Sequence, residues 1–222
     1  MGIITVDKSD HLFWLGRYTE RVQTTLRYYL KTADLMLDHG TDDYAVLCRK
    51  IGIPDIYGSG EAFRKKYPFD AKDSNSIISS LNRAYDNAIV MRDYIGTETM
   101  AYIQLAIDDV KHAEQSPAQI ADLMLVIDHI YAFWGCANDL IDDEKIRNIM
   151  KLGKGMERLD LYLSLGVAKH EIKREYNRTK GFLKKSCLRY DEHILYTVDS
   201  LLSEPKFDHD NVKKLLRNLI SK

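Results

Sequence analysis

The chain has 222 residues, 45% of them hydrophobic and 29% charged, the balance of a folded globular protein rather than a disordered or fibrous one. Its 32 Lys and Arg nearly cancel 33 Asp and Glu, which leaves no overall field suited to nucleic acid or an anionic membrane, and neither is expected as a partner. Cys48, Cys136 and Cys187 are scattered and match no disulfide or zinc spacing, so a reducing cytoplasm is the expected location.

In chain order, the opening "MGIITVDKSD" lacks the basic and apolar regions of a signal peptide, and no uncharged apolar run reaches the length of a membrane span. Ser9 or Asp10 is placed to cap a first helix that runs to about Asp38 and stops at Gly40. Its apolar positions Leu12, Leu15, Val22, Leu26, Tyr29 and Ala33 recur at helical steps, which predicts one buried stripe. A short helix follows from about residue 42 to 50. Residues 51–73, with Pro54, Pro68 and three glycines, read as an irregular insertion with one helical turn near residues 61–66. A long helix then starts at Ser74 or Ser76 and continues to about Glu114, bent at Gly96.

"SPAQIADL" predicts the next start, with Ser116 as cap, Pro117 in the first turn and Gln119 closing a capping box. Gly135 loosens the end of that helix. Asp142 or Asp143 caps the following one, which Gly166 stops. Another runs from about Lys169 to Leu202 with an interruption at Gly181, and Asp208 caps a last helix from His209 to Ile220. These elements predict an all-α protein, a single domain over residues 1–222 built as a bundle of six to seven helices.

One signature occurs twice. "WLGRYTER" begins at Trp14 and "KLGKGMER" at Lys151; aligned on their leucines, the copies are offset by 152 − 15 = 137 residues. With about 100° per residue, Leu15, Val22 and Leu26 share a face, as do Leu152, Met156, Leu159 and Leu163, so both copies have the same helical phase. Gly16 and Gly153 lie beside these stripes. A glycine inside a helix costs on the order of 1 kcal/mol relative to alanine, and close approach of another backbone is the simplest compensation. The expectation is a tight helix–helix contact at each glycine and internal pseudo-symmetry. Arg17, Glu20 and Arg21, with Glu157 and Arg158 in the second copy, fit three descriptions: a solvated face, buried structural pairs, or a binding pocket. Asn87, Arg92 and Glu98 of "NAIVMRDYIGTE" are candidates to join them in one polar seam able to hold an anion.

"HLFWLGRYTERVQTTLR", "NAIVMRDYIGTE" and "LGKGMERLD", in this order, resemble the alpha-E domain family, an all-helical bacterial family. The resemblance spans residues 11 to about 165 and selects Trp14, Gly16, Arg17, Glu20 and Arg21, then Asn87, Arg92, Ile95 and Glu98, then Gly153, Glu157 and Arg158. Lys154 departs from the family's arginine, and a lysine cannot reproduce a planar bidentate fork. The family's members tend to accompany circularly permuted ATP-grasp proteins, which implies a place in ATP-dependent amide- or peptide-bond formation with an ATP-grasp-type ligase as protein partner.

Two further motifs give way to simpler explanations. Asp139, Asp142 and Asp143 suggest a magnesium motif, but lie at a helix junction where capping accounts for them. Asp109 and His112 supply one imperfect half of a di-iron set. No metal or cofactor is expected. The leading expectation is an accessory protein acting with the ligase, with Arg17, Glu20, Arg21, Asn87, Arg92, Glu98, Glu157 and Arg158 as its polar site. The alternative is a helical enzyme whose arginines bind an anionic substrate and whose Glu20 or Glu157 is the general base.

Overall fold

A computed structural model of the chain describes residues 5–39 and 44–220. The protein is all-helical, and among the described residues there are eleven helices rather than six or seven, because two long expected helices are broken and the insertion is itself partly helical. They are α1 (Val6–His39), α2 (Tyr44–Ile51), α3 (Gly60–Lys66), α4 (Ile77–Val90), α5 (Arg92–Ile95), α6 (Thr97–Gln115), α7 (Gln119–Leu140), α8 (Glu144–Leu165), α9 (Lys169–Ser186), α10 (Glu192–Ser203) and α11 (His209–Arg217).

Helix α1 begins earlier than expected. The Thr5 hydroxyl accepts from the Lys8 amide, and Ser9 and Asp10 lie inside the helix; the expected stop at Gly40 falls outside the described residues. The helix from residue 74 to 114 is divided at Met91 and at Gly96, whose φ of 82° is a conformation that only glycine adopts readily. Ser76 caps α4 through the Ser79 amide at 3.1 Å. The expected capping box at Ser116 does not form: Ser116 accepts from Ala118, Gln119 reaches back to the Glu114 carbonyl, and α7 starts two residues later than expected. Gly135 lies within α7. The next interruption falls at Cys187, in a left-handed conformation, rather than at Gly181. Asp143 caps α8, Gly166 ends it in the left-handed region, and Asp208 caps α11, which ends at Arg217.

Residues 51–73 fold back over the end of α1. Phe63, Tyr67 and Phe69 are buried, and Tyr29 of α1 packs against Phe63 and Tyr67 while donating to the Arg64 carbonyl at 2.7 Å. Burying aromatic rings of this size supplies the drive that orders a segment rich in turns.

Helices α1 and α8 form the axis of the molecule. The leucine stripe of α1 faces a hydrophobic cluster shared with α4, α6 and α7, whereas the stripe of α8 faces a second cluster shared with α9, α10 and α11. Each fully buried leucine contributes about 1.5–3 kcal/mol. Helix α7 is long and apolar enough, by length and composition, to cross a membrane; here its Leu123, Val126, Ile130 and Phe133 are buried in the first cluster.

Candidate functional site: a crosswise Glu–Arg lock beside an open cleft

At the contact between α1 and α8 the two glycines do equivalent jobs. A Cβ on Gly16 would lie 2.0 Å from the Met150 carbonyl oxygen, and a Cβ on Gly153 would lie 2.0 Å from the Phe13 carbonyl oxygen. Each glycine therefore admits the backbone one turn before the other glycine, in reciprocal fashion. Residue numbers rise together along the contact, so the helices run in the same direction, related by a pseudo-two-fold axis between them.

One turn further on, this close approach brings the charged residues together crosswise. Arg158 forks onto Glu20, with Nε donating to Oε1 at 2.7 Å and Nη2 to Oε2 at 2.6 Å. Arg17 donates to Oε2 of Glu157 at 2.7 Å, and Arg21 to its Oε1 at 2.6 Å. Thr24 adds a bond to Glu20 Oε1. Both glutamates are 0% exposed, and every one of their carboxylate oxygens accepts from an arginine. Burial works against the Arg158 guanidinium, but the hydrogen bonds and charge of Glu20 outweigh it and hold Arg158 above its ordinary value. Arg21 is raised in the same way, with Glu157 overcoming the effect of burial. These five residues form buried pairs, and two of them, Glu20 and Arg158, also line an open cleft.

Asn87, Arg92 and Glu98 stand outside this lock. Asn87 faces the start of α1, where its Oδ1 lies 2.8 Å from His11 Nδ1. Arg92 is exposed and donates to Thr97 at 3.2 Å; Glu98 is exposed in the first turn of α6. The single seam expected from all eight residues is thus corrected to a five-residue lock with the other three apart from it: Asn87 bonds His11 at the start of α1, and Arg92 and Glu98 lie exposed beyond the break at Met91.

Lys154 occupies the position equivalent to Arg17 (17 + 137 = 154) but does not copy it. Its ammonium lies 4.1 Å from the centre of the Trp134 ring and makes no hydrogen bond among the described residues. Burial lowers the Lys154 ammonium to about 8, assisted by Arg158 and opposed by Glu20. It opens onto a cleft of about 590 Å³ whose wall includes Gln23, Arg27, Lys31, Tyr131 and Tyr162. Sequence reasoning passed over these residues, although Glu20, Gln23, Arg27 and Lys31 recur at steps of three and four and mark a polar stripe.

Asp143 spends its carboxylate on the Lys145 and Ile146 amides, and among the described residues no group of three or more His, Cys, Asp or Glu side chains is placed to hold a metal.

Two parallel helices locked through reciprocal glycines and crossed Glu–Arg pairs, in an otherwise all-helical bundle, define the class of this domain. The chain belongs to the Alpha-E family, described as a predicted alpha-helical domain with a conserved ER motif, whose model matches residues 8–202. The two Glu-Arg dipeptides of the chain, at 20–21 and 157–158, are the ones that form the lock. No curated protein and no solved structure matches the chain.

Proposed function

We propose that the protein is an accessory component of an ATP-dependent amide- or peptide-bond-forming system, working in the cytoplasm beside an ATP-grasp-type ligase and presenting a ligand-binding cleft rather than performing the ligation. The observation that carries this reading is the state of Glu20 and Glu157. Both are fully buried with every oxygen bound by arginine, so neither presents an oxygen to a substrate proton, as a general base must. The enzyme alternative drawn from the same residues has no support of this kind. The ligase partnership rests on the family resemblance, and the bundle brings to it an open, polar cleft on a scaffold stiffened by paired charges.

The test is affinity capture of the full chain from its native cells, with bound proteins identified by mass spectrometry. Specific recovery of an ATP-grasp protein, and a change in that partner's ATP turnover when the purified chain is added, are the expected results. Failure to enrich any ATP-grasp protein, or amide-forming turnover by the purified chain alone, overturns the reading.

A further inference from the structure

The pseudo-two-fold axis makes the cleft beside Lys154 one of a pair. The offset of 137 pairs Gln23 with Asp160, Arg21 with Arg158, and Arg17 with Lys154. On that second side the chain fills its own cleft. Helix α11 lays Lys213 and Arg217 against Asp160, with Arg217 Nε at 3.0 Å and Lys213 Nζ at 3.5 Å. What is left is two smaller cavities of about 270 and 120 Å³, each lined by Asp160, Lys213 and Arg217. No element of the described chain enters the first side in this way, and there the cleft of about 590 Å³ stands open.

The open side also carries unspent polar groups where the filled side has satisfied ones. Gln23 is 5% exposed, and its Oε1 has no hydrogen-bond partner among the described residues; the equivalent Asp160 takes two cations. Leaving a buried acceptor unmatched costs free energy that a bound donor recovers. Lys154 has left Glu20 for the face of Trp134, whereas the equivalent Arg17 is tied to Glu157. Because Arg158 already neutralises Glu20, the lining charges that remain are Arg27, Lys31 and Lys154 against Glu171, a net positive wall. The site therefore offers one buried acceptor for an N–H and a partly desolvated ammonium for an anion.

We infer that this cleft binds the carboxylate end of a peptide or N-acyl amino acid, with the carboxylate on Lys154 and an adjacent amide N–H donated to Gln23 Oε1. A monoanion with a neighbouring donor matches the wall better than phosphate, which has no N–H for Gln23 and would bring a second negative charge toward Glu171. The inference deepens the accessory reading, on which it rests for its choice of ligand class: a carboxylate is the group that an ATP-dependent ligase activates.

Titration calorimetry with the full chain tests it, using N-acetyl-alanyl-alanine, its C-terminal amide, and inorganic phosphate as probes. The acid should bind, and the amide should bind roughly tenfold more weakly or not at all. Burial, joined by Arg158 and Arg178 and opposed by Glu20 and Glu175, leaves the ammonium near half-ionised at pH 8. Seating a carboxylate on it should therefore take up about half a proton, read from buffers of different ionisation enthalpy. Lys154→Gln should lose binding. Lys154→Arg keeps the positive charge and should lose it too, because an arginine here would be drawn onto Glu20 as Arg17 is onto Glu157. Gln23→Leu should weaken the acid roughly three- to tenfold. Equal binding of acid and amide, binding of phosphate alone, full binding by Lys154→Arg, or no binding of the acid at millimolar concentration each overturns the inference. An ATP-grasp protein captured by a chain that ignores the acid would remove the ligand and leave the partnership; the reverse result would do the opposite.

Discussion

Gly16 and Gly153 each stand where a single methyl group would collide with the backbone beside the other, 2.0 Å from a carbonyl oxygen in both cases. A side chain at the end of a flexible stem could move aside; a helical carbonyl cannot without parting α1 from α8. The crossed Glu–Arg pairs depend on this approach, since they lie on the same two helices about one turn further along.

Gly16→Ala and Gly153→Ala should therefore each destabilise the protein by about 2–4 kcal/mol, despite the helix propensity gained. Gly135 and Gly181 provide the internal control, as both lie in helices and, apart from their own helix backbone, no described residue comes within 4 Å of the point where an alanine methyl group would stand. Alanine at either should stabilise by about 0.5–1 kcal/mol. Urea denaturation of the four variants gives the comparison, and equal effects at all four would remove the close-contact argument.

Glu157→Gln should cost about 3–5 kcal/mol, because it strips the counter-charge from two partly buried arginines at once. Glu20→Gln leaves one arginine fork facing an amide and should cost less. Thermal melts of both variants at matched ionic strength will show the order; the reverse order would mean that Arg17 and Arg21 reach solvent more freely than their geometry indicates.

Much of this was readable in the sequence, and the parts that were not share a cause. The phase of Leu15, Val22 and Leu26 against that of Leu152, Leu159 and Leu163 gave the two buried stripes, and the cost of Gly16 and Gly153 pointed to a close approach. Local chemistry located Gly166 and Asp208 as helix ends and narrowed the start of α8 to Asp142 or Asp143, of which Asp143 is the cap. It failed at Met91 and Cys187, where helices stop without a breaker residue because packing of neighbouring elements overrides propensity, and at Ser116, whose capping pattern competes with the Gln119 bond to Glu114. The crosswise choice of partners, Glu20 with Arg158 and Glu157 with Arg17 and Arg21, depends on helix direction and spacing, which no single helical wheel contains. For the same reason Arg92 and Glu98 could not be excluded from the lock until the turn at Gly96 was known.

Lys154 gives the stability a distinct pH dependence. Its ammonium sits at about 8 in the folded chain against 10.5 for an ordinary lysine, so between these values the unfolded chain holds more protons and stability rises with pH. Below about 8 the full penalty of the buried charge is present. The buried tyrosines Tyr29 and Tyr176, raised by burial, oppose the trend once unfolded tyrosine ionises near pH 10. The clean readout is wild type minus Lys154→Met from pH 8 to 9.5. That difference should move in favour of wild type by on the order of 1 kcal/mol, discounted for the lysine's contact with the cleft. A flat difference would place the ammonium in solvent.

Asp143 should behave as a helix cap and not as a metal ligand. Asp143→Ala is expected to lose about 1 kcal/mol, the usual worth of such a cap, and to lose the same amount with and without magnesium. A melting temperature that magnesium raises in wild type but not in this variant would restore the metal reading of Asp139, Asp142 and Asp143.

The most direct test of the lock is a double-mutant cycle on Glu20→Gln and Arg158→Met, read by chemical denaturation. Residues that hold each other in a buried fork should be coupled by about 2 kcal/mol or more, so that the double variant is far less damaged than the sum of the single ones. Additivity within about 0.5 kcal/mol would contradict the account, since the two helices would then be joined by their glycines and apolar contacts alone.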